Sequence, residues 1–224
     1  MYIGIDGCKK GWILAIIDDN LNLSHKVESS LDCLRDLKAS QILIDMPIGF
    51  PIDAYRQCEV EARSLLMYPR MNSVFFTPHK DAVDARNEIL AKEINQKKLG
   101  KSISRQSWCI CPKINDVNMF VESNKKLKIK ESHPELCFYI ENKGVSMAHK
   151  KSLPAGIEER KKIISQFSLK YLQVIDKTFE SNPRKEVKMD DILDATIMAI
   201  RASQNNLQRV PATKSRADSS VIFY

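Results

Sequence analysis

Ile3-Gly4-Ile5-Asp6-Gly7 and Ile42-Leu43-Ile44-Asp45-Met46-Pro47 are two short apolar runs, far apart in the chain, that each end in an aspartate. Apolar runs of this length closed by turn residues read as strands buried on both faces. Between them, Trp12 to Ile17 forms a second apolar run reached through the tight Gly7-Cys8-Lys9-Lys10-Gly11 connection, which predicts a hairpin. Asp18-Asp19-Asn20 supplies turn chemistry before Leu21, Leu23 and Val27, a third strand with a partly polar face. Ser29 and Ser30 can cap a helix carrying Leu31, Leu34 and Leu37 at helical spacing, and Gln41 to Asp45 follows as a buried strand. Three strands, a helix and a buried strand place the last strand parallel to the first through a crossover. Asp6 and Asp45 then share the carboxyl edge of an open α/β sheet, where such sheets bind ligands.

Between Met46 and Leu127 the chain turns helical and charged, with helices predicted over Ile52 to Leu66, Lys80 to Lys98 and roughly Ile103 to Ser123. Pro47, Pro51, Pro69, Pro78 and Pro112 read as breakers, and the segment from about 46 to 127 reads as a helical insertion in a single domain spanning 1–224. Leu127 to Glu131 returns to the sheet, and His133-Pro134-Glu135 starts a helix with proline in the first turn. One long amphipathic helix is predicted over Gly156 to Phe179, a strongly apolar one over Met189 to Ser203, a loop over Pro211 to Ser220, and a last strand over Val221 to Tyr224.

The chain of 224 residues is 43% apolar, enough for a buried interior, and its formal charge is +7. An excess of Lys and Arg fits a polyanionic partner, since phosphates release counterions to such a surface; solvated lysine faces account for the same charge without one. The opening run has no basic leader and no apolar stretch reaches membrane-span length, so a soluble cytoplasmic protein is expected. Cys8, Cys33, Cys58, Cys109, Cys111 and Cys137 lack paired C-x-x-C spacing and read as reduced thiols.

A third acid, Asp194, lies in Asp190-Asp191-Ile192-Leu193-Asp194-Ala195, inside a helix apolar almost all round, and Asp191 shares its face. Asp190 and Asp191 also suit a helix N-terminus, and Asp194 could pair with Arg201 or another buried base. Acids gathered from separate elements repel unless a cation intervenes. Oxygen-only ligands point to Mg2+ or Mn2+ and to a two-ion clamp on an in-line displacement at phosphorus. Asp6, Asp45, Asp191 and Asp194 are therefore the candidate catalytic residues, with Asp6, Asp45 and Asp194 as metal ligands.

Several motifs occur in order along most of the chain: Gly4-Ile5-Asp6-Gly7-Cys8-Lys9-Lys10-Gly11-Trp12, Ile44-Asp45-Met46-Pro47-Ile48-Gly49, Arg56-Gln57-Cys58-Glu59 with Ala62-Arg63, Ser73-Val74-Phe75, His133-Pro134-Glu135, Lys151 with Gly156 and Arg160, and Asp191-Ile192-Leu193-Asp194-Ala195. Together they resemble an uncharacterised family of RNase H-like proteins predicted to be nucleases, the domain of unknown function 429. The resemblance implies an RNase H-like mixed five-stranded sheet flanked by helices, with acids on the first strand, the fourth strand and the last helix as metal ligands. Asp191-x-x-Asp194 looks like the paired acids on the last helix of Holliday-junction resolvases in that superfamily.

Substrate contacts are expected from the remaining motif residues. Arg56 and Arg63 share a helix face and with Arg70 suit phosphate, although an ion-paired surface is the competing account. His133, Glu135, Lys151 and Arg160 are assigned beside them, and Trp108 and Phe120 can either stack on a base or pack a core. The expected partner is DNA or RNA, with a homodimer left open. Two rivals stand beside the nuclease: a non-catalytic scaffold that binds nucleic acid or protein, and an actin-like or sugar-kinase-type phosphotransferase. The latter calls for duplicated domains and a second glycine-rich phosphate loop, whereas Asp45-Met46-Pro47 puts proline where a backbone cradle wants glycine.

Overall fold

A computed structural model describes residues 1–213 and 220–224. β1 (Tyr2–Cys8) and β2 (Gly11–Ile17) form an antiparallel hairpin running from Tyr2 opposite Ile17 to Cys8 opposite Gly11, and β3 (Leu23–Glu28) extends it antiparallel. Leu31–Asp36 is a 3-10 helix rather than a full α-helix, with the Ser30 hydroxyl accepting from the Asp32 amide. It leads into β4 (Gln41–Ile44), parallel to β1 with Ile5 opposite Ile44. β5 (Ile129–Glu131) pairs parallel with β4, which completes a mixed five-stranded sheet in the order β3-β2-β1-β4-β5.

The segment between β4 and β5 carries α1 (Gln57–Leu66), α2 (Lys80–Val83), α3 (Glu88–Leu99) and α4 (Arg105–Ser123). The helix expected over Lys80 to Lys98 is two, because the Asn87 side chain caps a fresh start at α3. Pro112, expected to break its helix, sits inside α4. It deletes one backbone bond, but Cys111, Ile114, Val117 and Phe120 bury one side of the helix and hold it. Trp108, partly buried, packs on a small separate core of Ala82, Ala91 and Ile103, and Phe120 is buried in the sheet core, which takes its ring out of reach of a base.

After β5 come α5 (Pro134–Glu141), α6 (Pro154–Ser165), α7 (Leu169–Ser181) and α8 (Met189–Ser203), then the short antiparallel pair β6 (Arg209–Val210) and β7 (Ile222–Phe223). The single long helix expected over Gly156 to Phe179 is divided at Gln166-Phe167-Ser168, where the Ser168 hydroxyl accepts from the Lys170 amide and caps α7. Of the loop expected over Pro211 to Ser220, residues 214–219 lie outside the described residues. Among the described residues no helix is long and apolar enough to cross a membrane.

Strand alternation decides which residues meet the flanking helices. Ile3, Ile5, Ile42 and Ile44 join α4 residues Ile114, Val117 and Phe120 on one face. Leu43, Ala15 and Ile13 join α8 residues Ile192, Leu193, Ala195 and Ile197 on the other. Gly4 and Asp6 in β1, and Leu43 with Asp45 in line after it, therefore belong to the α8 side. Gly4 makes the close approach possible: a Cβ there would lie 2.1 Å from the Ala195 carbonyl oxygen and 2.3 Å from the Ala199 amide nitrogen. Ile192, Leu193, Ile197, Met198 and Ile200 are all buried, and at about 2 kcal/mol each their burial stabilises this docking by on the order of 10 kcal/mol. That is enough to hold neighbouring carboxylates together against a repulsion of a few kcal/mol.

Candidate active site

The docking of α8 on β1 collects the expected acids. Asp6, Asp45, Asp191 and Asp194 line one cavity of about 630 Å3 at the carboxyl edge of β1 and β4. Asp6 is held by the strand ladder, and its Oδ1 accepts from the Gly7 amide at 2.7 Å. Asp45 continues the parallel register, its amide donating to the Ile5 carbonyl at 2.9 Å. Asp191 doubles as a cap, Oδ2 accepting from the Lys188 amide at 2.9 Å, while Asp194 lies one turn further along, only 2% exposed.

Burial and mutual repulsion shift the titration of Asp6, Asp45 and Asp191. Desolvation, then the charge of Asp45, drives Asp6 well above the usual carboxylate range. Desolvation pushes Asp45 up to about 7, with Asp194 adding to the rise and Lys151 opposing it. Asp191 rises to about 6, again chiefly through burial. Lys151 is the internal counter-charge: its Nζ donates to Asp194 Oδ2 at 2.5 Å while its side chain stays 42% exposed. Burial alone would lower its pKa, but Asp194, Asp6 and Asp45 together hold it well above the usual lysine value. Gly156 keeps the Lys150–Lys151 segment in place, since a Cβ there would meet the Lys150 carbonyl oxygen at 2.0 Å.

The other expected contacts separate into two groups. Arg70, His133, Glu135 and Lys151 do line the cavity. Arg70 is buried, donates to the His149 carbonyl at 3.2 Å, and leaves its Nε without a partner among the described residues. His133 caps α5, its Nδ1 accepting from the Glu135 amide at 3.2 Å, and burial holds its pKa below the usual imidazole value.

Arg56, Arg63 and Arg160 are committed elsewhere. Arg56 is 2% exposed and forms a two-pronged pair with Glu131, at 2.8 and 2.6 Å, plus a bond to Glu59 at 2.8 Å. The phosphate contact expected of it is replaced by this buried triad, which ties α1 to β5. Arg160 is fully buried and pairs with Glu135, so its guanidinium braces α6 against α5 and offers no face to a phosphate. Arg63 donates to the carbonyls of Met71 and Val74 and lies over the Phe76 ring at 5.0 Å, holding the loop that carries Arg70.

Several cavity residues escaped the sequence reading. Lys113 of α4 lines the wall beside Gly7, donates to the Gly11 carbonyl and sits 4.3 Å from the centre of the Trp12 ring. Gln106, Ile110, Asn72, Ser73 and Lys150 also contribute. No local signal separates Lys113 from the other lysines; only the packing of α4 over the sheet edge does.

A hard divalent ion suits this donor set, since the donors are carboxylate oxygens and no hydrogen bond among the described residues reaches the Asp45 carboxylate. As they stand, no three His, Cys, Asp or Glu side chains among the described residues close into a metal-holding group.

A family model matches residues 4–216, a span that contains every carboxylate of the cavity. The chain belongs to the family described as Protein of unknown function (DUF429). No curated protein and no solved structure matches the chain. The match to DUF429 covers the whole five-stranded sheet apart from the first residues of β1, together with α1 through α8.

Proposed function

We propose that this DUF429 protein is a divalent-metal-dependent hydrolase of phosphodiester bonds in DNA or RNA, built on an RNase H-like fold. One observation carries the reading: carboxylates from β1, the end of β4 and α8 meet in one open cavity, where burial and repulsion raise the pKa values of Asp6, Asp45 and Asp191. Their order along the chain, first strand, fourth strand and last helix, is the one the RNase H resemblance implies. Asp6, Asp45 and Asp194 would hold Mg2+ or Mn2+, which when bound supplies a water of lowered pKa and offsets charge on the leaving oxygen. Asp191 orients the start of α8 and adds negative charge at the cavity wall. Arg70 and Lys150 offer hydrogen-bond donors to a phosphate, and burial, which lowers the pKa of His133, disfavours a charge on that ring.

The test is cleavage of single-stranded, duplex, hybrid and branched substrates with Mg2+ or Mn2+. Asp6→Asn and Asp194→Asn should each lose at least about a hundredfold in rate with the fold retained, because a ligand charge is lost without a change in volume. Asp190→Asn should stay within about twofold, since Asp190 does not line the cavity. Wild-type rates in Asp6→Asn would refute the assignment.

A second reading is favoured by the Lys151–Asp194 pair, which neutralises the most buried acid on α8 without any ion. On that reading the protein is a non-catalytic scaffold for nucleic acid or a protein. Saturating Mg2+ or Mn2+ would then neither raise the melting temperature nor support cleavage.

A further inference from the structure

Arg70 differs from the other buried arginines in having no acid. Arg56 pairs with Glu131 and Glu59, Arg160 with Glu135 and Arg201 with Glu141, whereas no carboxylate among the described residues lies within ion-pairing distance of Arg70, which is only 9% exposed. Its Nη1 donates to the His149 carbonyl at 3.2 Å, and its Nε is buried without a partner among the described residues. Arg160 and Arg201 share that idle Nε, but a carboxylate already offsets their charge. A buried charge without a counter-charge is costly, so an anion from outside is the group that completes Arg70.

The surroundings also favour an anion. The His149 carbonyl accepts from Arg70 and, at 3.3 Å, from Arg160, so two guanidinium groups meet at one acceptor while Glu135, on the same cavity wall, is taken by Arg160. The aspartates have a cation of their own in Lys151. After burial, the charges that move the titration of Asp45 are those of Lys151 and Asp194, and Arg70 is not among them. The cavity thus has a basic end around Arg70 beside its acidic one. Arg63, donating to the Met71 and Val74 carbonyls, fixes the turn that holds Arg70 there.

Size and burial select the ligand. A cavity of about 630 Å3 falls in the range of roughly 300–1,000 Å3 usual for small-ligand pockets, which admits an unpaired strand end of about one or two nucleotides and excludes a duplex. A continuous backbone on Arg70 would need room to leave on both sides of a deeply buried group, whereas a terminal phosphate enters from one side, with three free oxygens and close to two negative charges. We infer that Arg70 anchors a phosphomonoester site in the cavity, so that the substrate is a nucleic acid strand presented by an unpaired, phosphorylated end. The inference deepens the hydrolase reading and rests on it for the bond that is cut; the phosphate site itself needs no metal. The guanidinium on the cavity wall donates to the phosphate oxygens, and Lys150 adds a second positive charge nearby.

The test is binding of an internally labelled single-stranded oligonucleotide to the full chain in EDTA, by fluorescence anisotropy, with a phosphate at one end, at the other, or hydroxyls at both. Wild type should bind one phosphorylated strand about tenfold to a hundredfold more tightly than the hydroxyl-ended one, the size expected of a charge-assisted hydrogen bond. Arg70→Met should lose that preference and Arg70→Lys, which keeps the charge and guards against a folding defect, should retain part of it; melting curves report folding for each. Equal affinity for all three strands in wild type, or a preference that survives in Arg70→Met, would overturn the inference. A nucleoside monophosphate that binds more tightly than the phosphorylated strand would also overturn it, by assigning the site to a free nucleotide. Equal affinities together with Mn2+-dependent cleavage of a circular single strand would overturn the inference and leave the hydrolase reading standing. An Arg70-dependent preference with no cleavage of any substrate would remove the hydrolase reading and leave the phosphate site.

Discussion

Replacing Asp45 by asparagine should stabilise the metal-free protein, and by an amount that depends on pH. The Asp45 carboxyl rises from 3.8 to about 7 on folding, through burial and the nearby Asp194. A carboxyl that binds its proton more tightly when folded loses stability as pH rises between those two values; the penalty is absent below about pH 4 and complete above about pH 7. Three units at ~1.4 kcal/mol each set an upper bound of about 4 kcal/mol. Partial exposure to solvent reduces this to about 1–3 kcal/mol. For a chain of this length that is roughly 3–10 °C in melting temperature. Scanning calorimetry in EDTA should therefore show Asp45→Asn melting several degrees above wild type at pH 8, and the gap closing as pH falls towards 4. Saturating Mg2+ should shrink or reverse it at pH 8, because the wild-type carboxylate then has a partner. A gap that is the same at both pH values, or a less stable variant at pH 8, would refute the reasoning: the cavity would not be electrostatically strained.

Gly4→Ala should cost about 3 kcal/mol or more in urea unfolding, since the new methyl would sit 2.1 Å from the Ala195 carbonyl and α8 must retreat by roughly 1 Å. The same retreat separates Asp194 from Asp6, so Mn2+ affinity in Gly4→Ala should fall by about tenfold or more even under conditions where it is folded. Arg160→Met should lose about 3–5 kcal/mol, because Glu135 is left buried without its partner. Arg70→Met should instead leave unfolding within about 2 kcal/mol of wild type and weaken oligonucleotide binding, measured by fluorescence anisotropy, with a shallower salt dependence. Equal losses of stability in both arginine variants would remove Arg70 from the binding surface.

Much of the sheet was legible because its signals are local. The apolar runs at Ile3–Ile5, Trp12–Ile17 and Ile42–Ile44, together with the chain's turn residues, were enough to place β1, β2 and β4 and to predict the parallel pairing of β1 with β4. The apolar circumference of Met189 to Ser203 marked α8 as a buried helix, and with it Asp194 as an acid in an unfavourable setting. Helix ends were harder. A serine at 168 and an asparagine at 87 can cap or simply face water, and only the hydrogen bonds each makes show which.

Pairing of charges was not legible at all. Arg56, Arg63, Arg70 and Arg160 look alike in the chain, yet one meets Glu131 and Glu59, one braces a loop, one opens on the cavity and one meets Glu135. Strand and helix identity follow from neighbours a few residues away, through alternation and helical period. Which cation satisfies which acid follows from contacts such as Arg56 with Glu131 and Lys151 with Asp194, made between elements distant along the chain. Those distances exist only once α8 has settled on β1 at Gly4 and α6 has turned the Lys151 segment towards it.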